Sequence, residues 1–137
     1  MPLRLVVLNG KVHKMNKTGY ASDPFYLRHE TEPHPENPGR LTAIQNRLES
    51  SEFYNNLIPI QPRKATAKEI SRVHDSGYVA SVEKSCADGV RNLDADTVIS
   101  SDPYDAALLS AGAGISAIDQ LIDGNIHNAF CAVRPPG

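Results

Sequence analysis

The sequence predicts an α/β fold with a mostly parallel sheet packed between helices. Short apolar segments alternate with longer segments in which apolar residues recur at helical spacing. The last apolar segment, NAFCAV (128–133), is continuous, which is typical of a parallel strand buried on both faces. Strands that alternate with helices favour right-handed crossovers. With 137 residues, the chain is expected to form a single domain over 1–137.

Three further segments are predicted to be strands. LRLVVL (3–8) has the length and composition of a short opening strand. Residues 17–22 contain few apolar side chains, so the pattern alone supports a strand there only weakly. Leu57, Ile58 and Ile60 form a short apolar run that is limited by Pro59 and Pro62, as expected of a short strand or a strand at the edge of a sheet.

Two helix starts are marked by capping residues in the first half of the chain. Asn37 precedes a proline at the first helical position, and the following apolar residues predict a helix from about Pro38 to Ser50. Thr66 and Glu69 have the spacing of a capping box, in which a hydroxyl and a carboxylate satisfy two backbone amides. A short helix is therefore predicted after Thr66.

Two more helices are predicted in the second half. Ser76 is the expected cap of a helix that stops near Gly89. Asp102 is expected to cap a long buried helix, which begins with a proline at its first position. Gly112 and Gly114 each cost that helix about 1 kcal/mol relative to alanine. These glycines therefore predict close packing against a neighbouring segment.

The composition narrows the function classes. A net charge of -2, from 14 basic and 16 acidic residues, gives no electrostatic basis for binding DNA or RNA, and no apolar run is long enough to cross a membrane. The N-terminal apolar run is too short for a signal peptide, so a cytoplasmic protein is expected. Cys86 and Cys131 have no CxxC partner, which argues against a disulfide framework or a zinc ribbon.

Four separated segments carry specific motifs. They are HETEPHPENPGRL (29–41), VHD (73–75) with Tyr78, DADT (94–97) running into YDAA (104–107), and the final stretch 128–137 that ends in RPPG. In this order they resemble motifs of the zinc-dependent deacetylase family, which includes class II histone deacetylases and bacterial acetylpolyamine amidohydrolases. The similarity also supports a strand at residues 17–22. It implies a partial arginase/deacetylase-like three-layer α/β/α fold.

The resemblance also implies what this chain lacks. In the family, a pair of catalytic histidines follows the RPPG glycine, and the zinc ligands and the transition-state-stabilising tyrosine come later still. The chain is therefore expected to be the N-terminal portion of a deacetylase-like domain, inactive alone, with no catalytic residue, metal ligand or cofactor of its own. Zinc would belong to the intact family, which hydrolyses acetyl-lysine or acetylpolyamine amides.

The resemblance assigns possible site roles to three residues. At the position of Arg40, the family has an arginine beneath the active-site floor, beside a channel suited to acetate; the alternative is a surface salt bridge. His34, together with His29, is expected to shape the pocket rim; the alternative is that the two histidines and the nearby glutamates bind a stray divalent metal. Asp88 matches a loop that borders the substrate entrance, and the alternative is a helix-end turn. Asp96 is expected to be structural.

Three functional hypotheses follow. The first is the inactive deacetylase-like portion, whose apolar strand 128–133 would form an open sheet edge and recruit a second copy or a complementing chain. The second is a non-catalytic binding or assembly module that reuses the deacetylase scaffold. The third is a hydrolase that uses Cys86 or Cys131 with a histidine, which ranks last because no histidine is tied by spacing to either thiol.

Overall fold

The computed structural model describes residues 5–8, 11–14, 16–28, 35–93 and 103–136. Strands alternate with helices along these residues, as the sequence predicts. The elements are, in chain order, β1 (Leu5–Leu8), β2 (Lys11–Lys14), β3 (Thr18–Ala21), a short 3-10 helix (Pro24–Arg28), α1 (Pro38–Glu49), a second 3-10 helix (Tyr54–Asn56), β4 (Ile58–Ile60), α2 (Ala67–Ile70), α3 (Ser76–Ala87), α4 (Pro103–Ile122) and β5 (Asn128–Cys131).

The described strands form two sheets. β1 and β2 make an antiparallel hairpin, whereas β3, β4 and β5 make a parallel sheet in the order β4-β3-β5. The segment at 17–22 is therefore the central strand of the larger sheet, although its own pattern predicts a strand only weakly. The parallel pairing confirms the predicted α/β class with a mostly parallel sheet.

Helices cover both faces of the parallel sheet. On one face, Tyr20 of β3 packs in a cluster with Leu41 of α1. On the other face, Ala21 packs with Ala113 and Ala117 of α4. Because neighbouring residues of a strand point to opposite faces, these contacts place α1 and α4 on opposite sides. The result is the three-layer α/β/α arrangement that the family resemblance implies.

Helix α4 is packed tightly at one of its two central glycines. A Cβ atom added to Gly112 would lie 1.7 Å from the backbone oxygen of Arg63, so the chain before α2 crosses α4 at that point. The amide of Ala65 donates a hydrogen bond to the Leu108 carbonyl across the same contact, at 2.8 Å. The expectation of close packing is wrong for Gly114, where an added Cβ atom would meet no heavy atom within 4 Å.

The capping predictions hold for α1 and α2 but not for α3. The Asn37 side chain accepts a hydrogen bond from the Gly39 amide, and Thr66 and Glu69 form the complete capping box. Helix α3 is capped by Asp75, whose carboxylate accepts from the amides two and three residues later, so Ser76 becomes its first residue. The predicted cap Asp102 lies outside the described residues.

Strand β5 is shorter and more exposed than predicted. It ends at Cys131 instead of 133, and Phe130 is 46% exposed. The expectation of burial on both faces is therefore wrong for the described residues, because β5 lies at an edge of their sheet and pairs only with β3 there. β4 forms the other edge and carries the exposed Pro59, as an edge strand permits. Among the described segments, we find no helix with the length and apolarity that a bilayer crossing requires.

Candidate functional site

The carboxyl ends of β3 and β5 define the candidate site. The strand order β4-β3-β5 places the first strand of the parallel sheet between the second and the third, and α1 and α4 lie on opposite faces. In open α/β sheets, ligands bind beyond the carboxyl ends of the strands where the connections diverge to opposite faces. In this chain, that position lies between the carboxyl ends of β3 and β5, where the segments after Ala21 and Cys131 leave the sheet.

A fully buried arginine lies beyond the carboxyl ends of these two strands. The Arg134 side chain has 0% exposure, and its Nε and Nη2 atoms donate to the two carboxylate oxygens of Glu36 at 2.6 and 3.0 Å. Its Nη1 atom donates to the backbone oxygen of Tyr26 at 3.1 Å. A buried guanidinium is tolerated when it is paired and its donors are satisfied, and the two-pronged geometry satisfies both needs. Arg134 therefore ties the segment after β5 to two segments after β3.

Two further hydrogen bonds connect the segments after β3 and β5 to helix α4. Tyr26 is fully buried, and its hydroxyl donates to the Leu109 carbonyl of α4 at 3.1 Å. Burial, reinforced by the Asp23 carboxylate, raises the pKa of this phenol, which therefore stays neutral. Ser110 of α4 donates from its hydroxyl to the Pro135 carbonyl at 2.8 Å. Helix α4 thus contacts the residues around Arg134 at two neighbouring positions, Leu109 and Ser110.

Arg40 occupies the exposed side of this cluster. Its Nη1 atom lies 3.1 Å from Oε1 of Glu36, and its side chain is 48% exposed. The carboxylate of Glu36 is therefore shared between the buried Arg134 and the exposed Arg40. This geometry matches the surface salt bridge considered as the alternative for Arg40, and its role beside an acetate channel stays a prediction about the intact domain.

Asp88 does not join the hydrogen-bonded groups around Arg134. Asp88 is the C-terminal cap of α3, is 55% exposed in its side chain and pairs with Lys84 at 2.7 Å. It precedes Gly89, whose φ of +70° is typical of a helix-end turn. His34, His29 and Asp96 lie outside the described residues. The roles of Asp88 and His34 at a substrate entrance or rim remain predictions.

The described side chains do not fit a zinc site. Across the described ranges, no three His, Cys, Asp or Glu side chains come close enough to hold a metal ion. Zinc in proteins takes three or four such ligands, so no catalytic step through a metal can be assigned to these residues. The described residues provide a buried ion pair and hydrogen bonds beyond the carboxyl ends of β3 and β5.

The two cysteines do not have the environment of nucleophiles. Both are free and partly buried, and burial raises the pKa of the Cys86 thiol and of the Cys131 thiol. A raised pKa lowers the fraction of thiolate, which is the reactive form. The Cys131 sulfur lies 3.9 Å from the Ala113 carbonyl, where it contacts the core. The hypothesis of a cysteine hydrolase therefore gains no support.

Sequence reasoning missed Arg134 as a site residue. A signal was present, because a charged residue directly follows a continuous apolar strand and so enters the structure at a strand end. The partner was hidden, because Glu36 lies 98 positions earlier in the chain. Glu36 itself appeared in the sequence only as one of several acidic residues near His34.

Comparison with known proteins finds similarity over most of the chain. The sequence profile of the histone deacetylase domain matches residues 34–137. The chain is 33% identical over 123 residues to a probable deacetylase of Archaeoglobus fulgidus, a match that covers 88% of this chain and 34% of the relative. It is also 33% identical over 109 residues to histone deacetylase 15 of Arabidopsis thaliana, with coverage of 79% and 20%.

A solved structure extends the likeness to the fold. The crystal structure of the HDA15 HD domain superposes with a TM-score of 0.81 at 30% sequence identity, over 90% of this chain and 37% of that one. The chain thus spans about a third of the length of these two relatives, the archaeal protein and the HD domain. The parallel sheet, its covering helices and the profile match lead to one conclusion: this chain belongs to the histone deacetylase family.

Proposed function

We propose that residues 1–137 form the N-terminal part of a zinc-dependent deacetylase domain, and that the whole domain hydrolyses acetyl-lysine or acetylpolyamine amides. The observation that carries the proposal is the Arg134–Glu36 pair at the carboxyl edge of the sheet. Both residues lie in segments that resemble family motifs, HPENPGR and RPPG. The relatives support the reaction class, since their names include histone deacetylase 15 and polyamine deacetylase HDAC10.

The role that we assign to these residues is to build and position the floor of the site. Arg134 draws the segment after β5 against the segment that contains Glu36, and Tyr26 anchors both to α4. In a domain of this family, the fold would present zinc ligands and a general base above that floor, and zinc would activate the attacking water. Arg40, His34 and Asp88 would lie at the channel or rim.

We also infer that the 137 residues alone do not hydrolyse acetyl amides. Amide hydrolysis at neutral pH requires a group that activates water and a base that accepts its proton. The described side chains include no metal-ligating cluster to start that chemistry. The free, partly buried thiols Cys86 and Cys131 are consistent with a reducing compartment, so we propose a cytoplasmic location.

A chimera tests the proposal. The chain would replace the matched third of the HDA15 HD domain, and hydrolysis of an acetyl-lysine peptide and of N-acetylputrescine would be measured for the chimera, the parent domain and the 137-residue chain. We expect turnover by the parent and the chimera and none by the chain alone. A folded chimera without activity would contradict the scaffold role, and zinc-dependent turnover by the chain alone would contradict its inactivity.

We further propose that the open edge of β5 pairs with a strand of a second copy or of a complementing chain. The other edge of the described sheet carries Pro59, which lacks an amide donor, whereas Asn128–Cys131 contains no proline. Phe130 of β5 is also 46% exposed. Sedimentation velocity should show an oligomer that dissociates in Phe130→Lys. The matched control is Val73→Lys, a position that is 85% exposed and belongs to the segment between α2 and α3.

A monomer at micromolar concentration would contradict pairing between copies. Equal dissociation of Phe130→Lys and Val73→Lys would show that added charge, and not the β5 edge, controls association. If the chain binds a protein or peptide specifically while the chimera lacks activity, the binding-module hypothesis replaces the deacetylase scaffold.

A further inference from the structure

A cleft lies on the α1 side of the parallel sheet. It has a volume of about 650 Å³ and lies between α1 and the carboxyl ends of β3 and β4. Neither Arg134 nor Glu36 lines it, so it is separate from the candidate site described above. A cleft of this size is large enough for a small organic molecule.

The charges that line this cleft are all of one sign. Among its described lining residues, Asp23 and Glu49 carry carboxylates, and no lysine, arginine or histidine is present. Carboxylates without a basic partner create a negative potential, which a partly enclosed cleft concentrates. The cleft therefore attracts a cation.

The hydrogen bonds of the wall leave acceptors at its end. The hydroxyl of Tyr20 donates to Oε1 of Gln45 at 2.7 Å. The Gln45 amide nitrogen donates in turn to Oε1 of Glu49 at 2.6 Å and to the hydroxyl oxygen of Tyr54 at 3.0 Å. Both amide hydrogens of Gln45 are thus used within the wall, and the network ends on a carboxylate and a phenol oxygen. A ligand that donates hydrogen bonds complements these groups.

The remaining surface favours an organic cation over a metal ion. Leu41 and Ile60 supply apolar wall, and the rings of Tyr20 and Tyr54 also line the cleft. Burial raises the pKa of Tyr20, to which the nearby Glu49 carboxylate contributes, so this phenol stays neutral. Aromatic and apolar walls beside carboxylates are the usual surroundings of a bound ammonium group. We propose that this cleft binds a small organic ammonium ion.

The probe is cyclohexylmethylammonium, and its neutral counterpart cyclohexylmethanol is the control ligand. Both would be titrated into the full 137-residue chain while backbone amide signals are followed by NMR. We expect the ammonium ion to shift the amides of β3 and α1 in a saturable way, and the alcohol to bind at least tenfold more weakly. Added salt should weaken the binding of the ammonium ion only, because exposed charges are screened.

Two isosteric substitutions remove the charges without removing the local hydrogen bonds. Asp23→Asn keeps an oxygen acceptor for the Phe25 amide, and Glu49→Gln keeps one for Gln45. Each should weaken binding of the ammonium ion about threefold to fivefold, as expected for partly exposed ion pairs. Glu83→Gln is the matched control, since this exposed carboxylate on α3 lies outside the cleft and should leave binding unchanged.

A third variant tests the cleft without altering its hydrogen-bonded wall. Thr42 lines the cleft from an exposed position of α1, and Thr42→Lys should weaken binding about tenfold through repulsion. Thr42→Gln controls for side-chain size and should bind as the unaltered chain does. The proposal is overturned if the alcohol binds as tightly as the ammonium ion, or if Thr42→Lys and the two isosteric variants all bind normally.

Discussion

Arg134 and Glu36 lie 98 positions apart in the sequence and form a two-pronged ion pair in which the arginine is fully buried. The pair joins the segment that follows β5 to the segment that precedes α1. Its geometry explains why a charge is tolerated at the end of an apolar strand: both carboxylate oxygens and the Tyr26 carbonyl satisfy the guanidinium. The candidate site therefore depends on a contact between distant segments.

The first prediction concerns this pair. Glu36→Leu should lower the free energy of unfolding by about 3–5 kcal/mol, because it removes the carboxylate that pairs with the buried Arg134 charge. Glu36→Leu combined with Arg134→Met should be less destabilising than Glu36→Leu alone. Urea denaturation of the two single variants and the double variant measures the coupling.

Arg40→Met is the matched control for that cycle. Arg40 pairs with the same carboxylate from a half-exposed position, so its loss should cost only about 0.5 kcal/mol. Strictly additive effects of the Glu36 and Arg134 substitutions would mean that the two side chains do not interact as described.

The second prediction compares the two glycines of α4. Gly112→Ala should destabilise the fold by about 1–3 kcal/mol, because the new methyl group would collide with the Arg63 backbone. Gly114→Ala should stabilise it by about 0.5–1 kcal/mol, since alanine favours the helix and nothing obstructs its side chain. Thermal unfolding distinguishes the two, and shifts of the same sign would contradict the crossing at Gly112.

The third prediction concerns the start of α3. Asp75→Ala should cost about 1 kcal/mol, because the carboxylate accepts hydrogen bonds from the Gly77 and Tyr78 amides at 2.9 and 3.1 Å. Ser76→Ala should change stability little, since Ser76 is already inside the helix. Chemical denaturation of both variants would show the reverse order if Ser76 were the cap.

The fourth prediction concerns acid stability. Hydrogen bonds from Arg63, together with those of the capping box, lower the pKa of Glu69 from 4.5 to about 2. A lowered pKa contributes stability that is fully present above pH 4.5 and is lost as the pH falls toward 2. The stability difference between the unaltered chain and Glu69→Gln should therefore shrink over that range.

Thermal unfolding between pH 6 and pH 2.5 measures this difference. Glu83→Gln, at an exposed position of α3, is the control and should parallel the unaltered chain across the range. A constant gap between the unaltered chain and Glu69→Gln would show that the Glu69 carboxylate is not held in its charged form by Arg63 and the cap.

Local signals predicted much of the fold. The capping box at Thr66 and the proline that opens α4 were readable because their partners lie within a few residues. The cap of α3 was not, since Asp75 and Ser76 are adjacent residues of equally suitable type, and only the backbone geometry selects between them. The sequence also does not distinguish Gly112 from Gly114, because both lie in the same helical pattern. Only Gly112 faces the Arg63 backbone, so only Gly112 is closely packed.

The candidate site was less predictable than the fold. The family motifs located the segments around Arg40 and RPPG, but which arginine is buried depends on how the strands bring those segments together. Arg40, on the first turn of α1, stays half exposed, whereas Arg134, after β5, is enclosed by Tyr26 and Glu36. An ion pair between such distant segments produces no periodic pattern in a single sequence, so the sequence alone does not predict it.

Native mass spectrometry of the purified chain, with and without added zinc, tests the central claim that these residues supply scaffold and no metal site. The account predicts an oligomer without stoichiometric zinc. One tightly held zinc ion per chain would contradict it and would point to ligands that include residues outside the described ranges, such as His29 and His34.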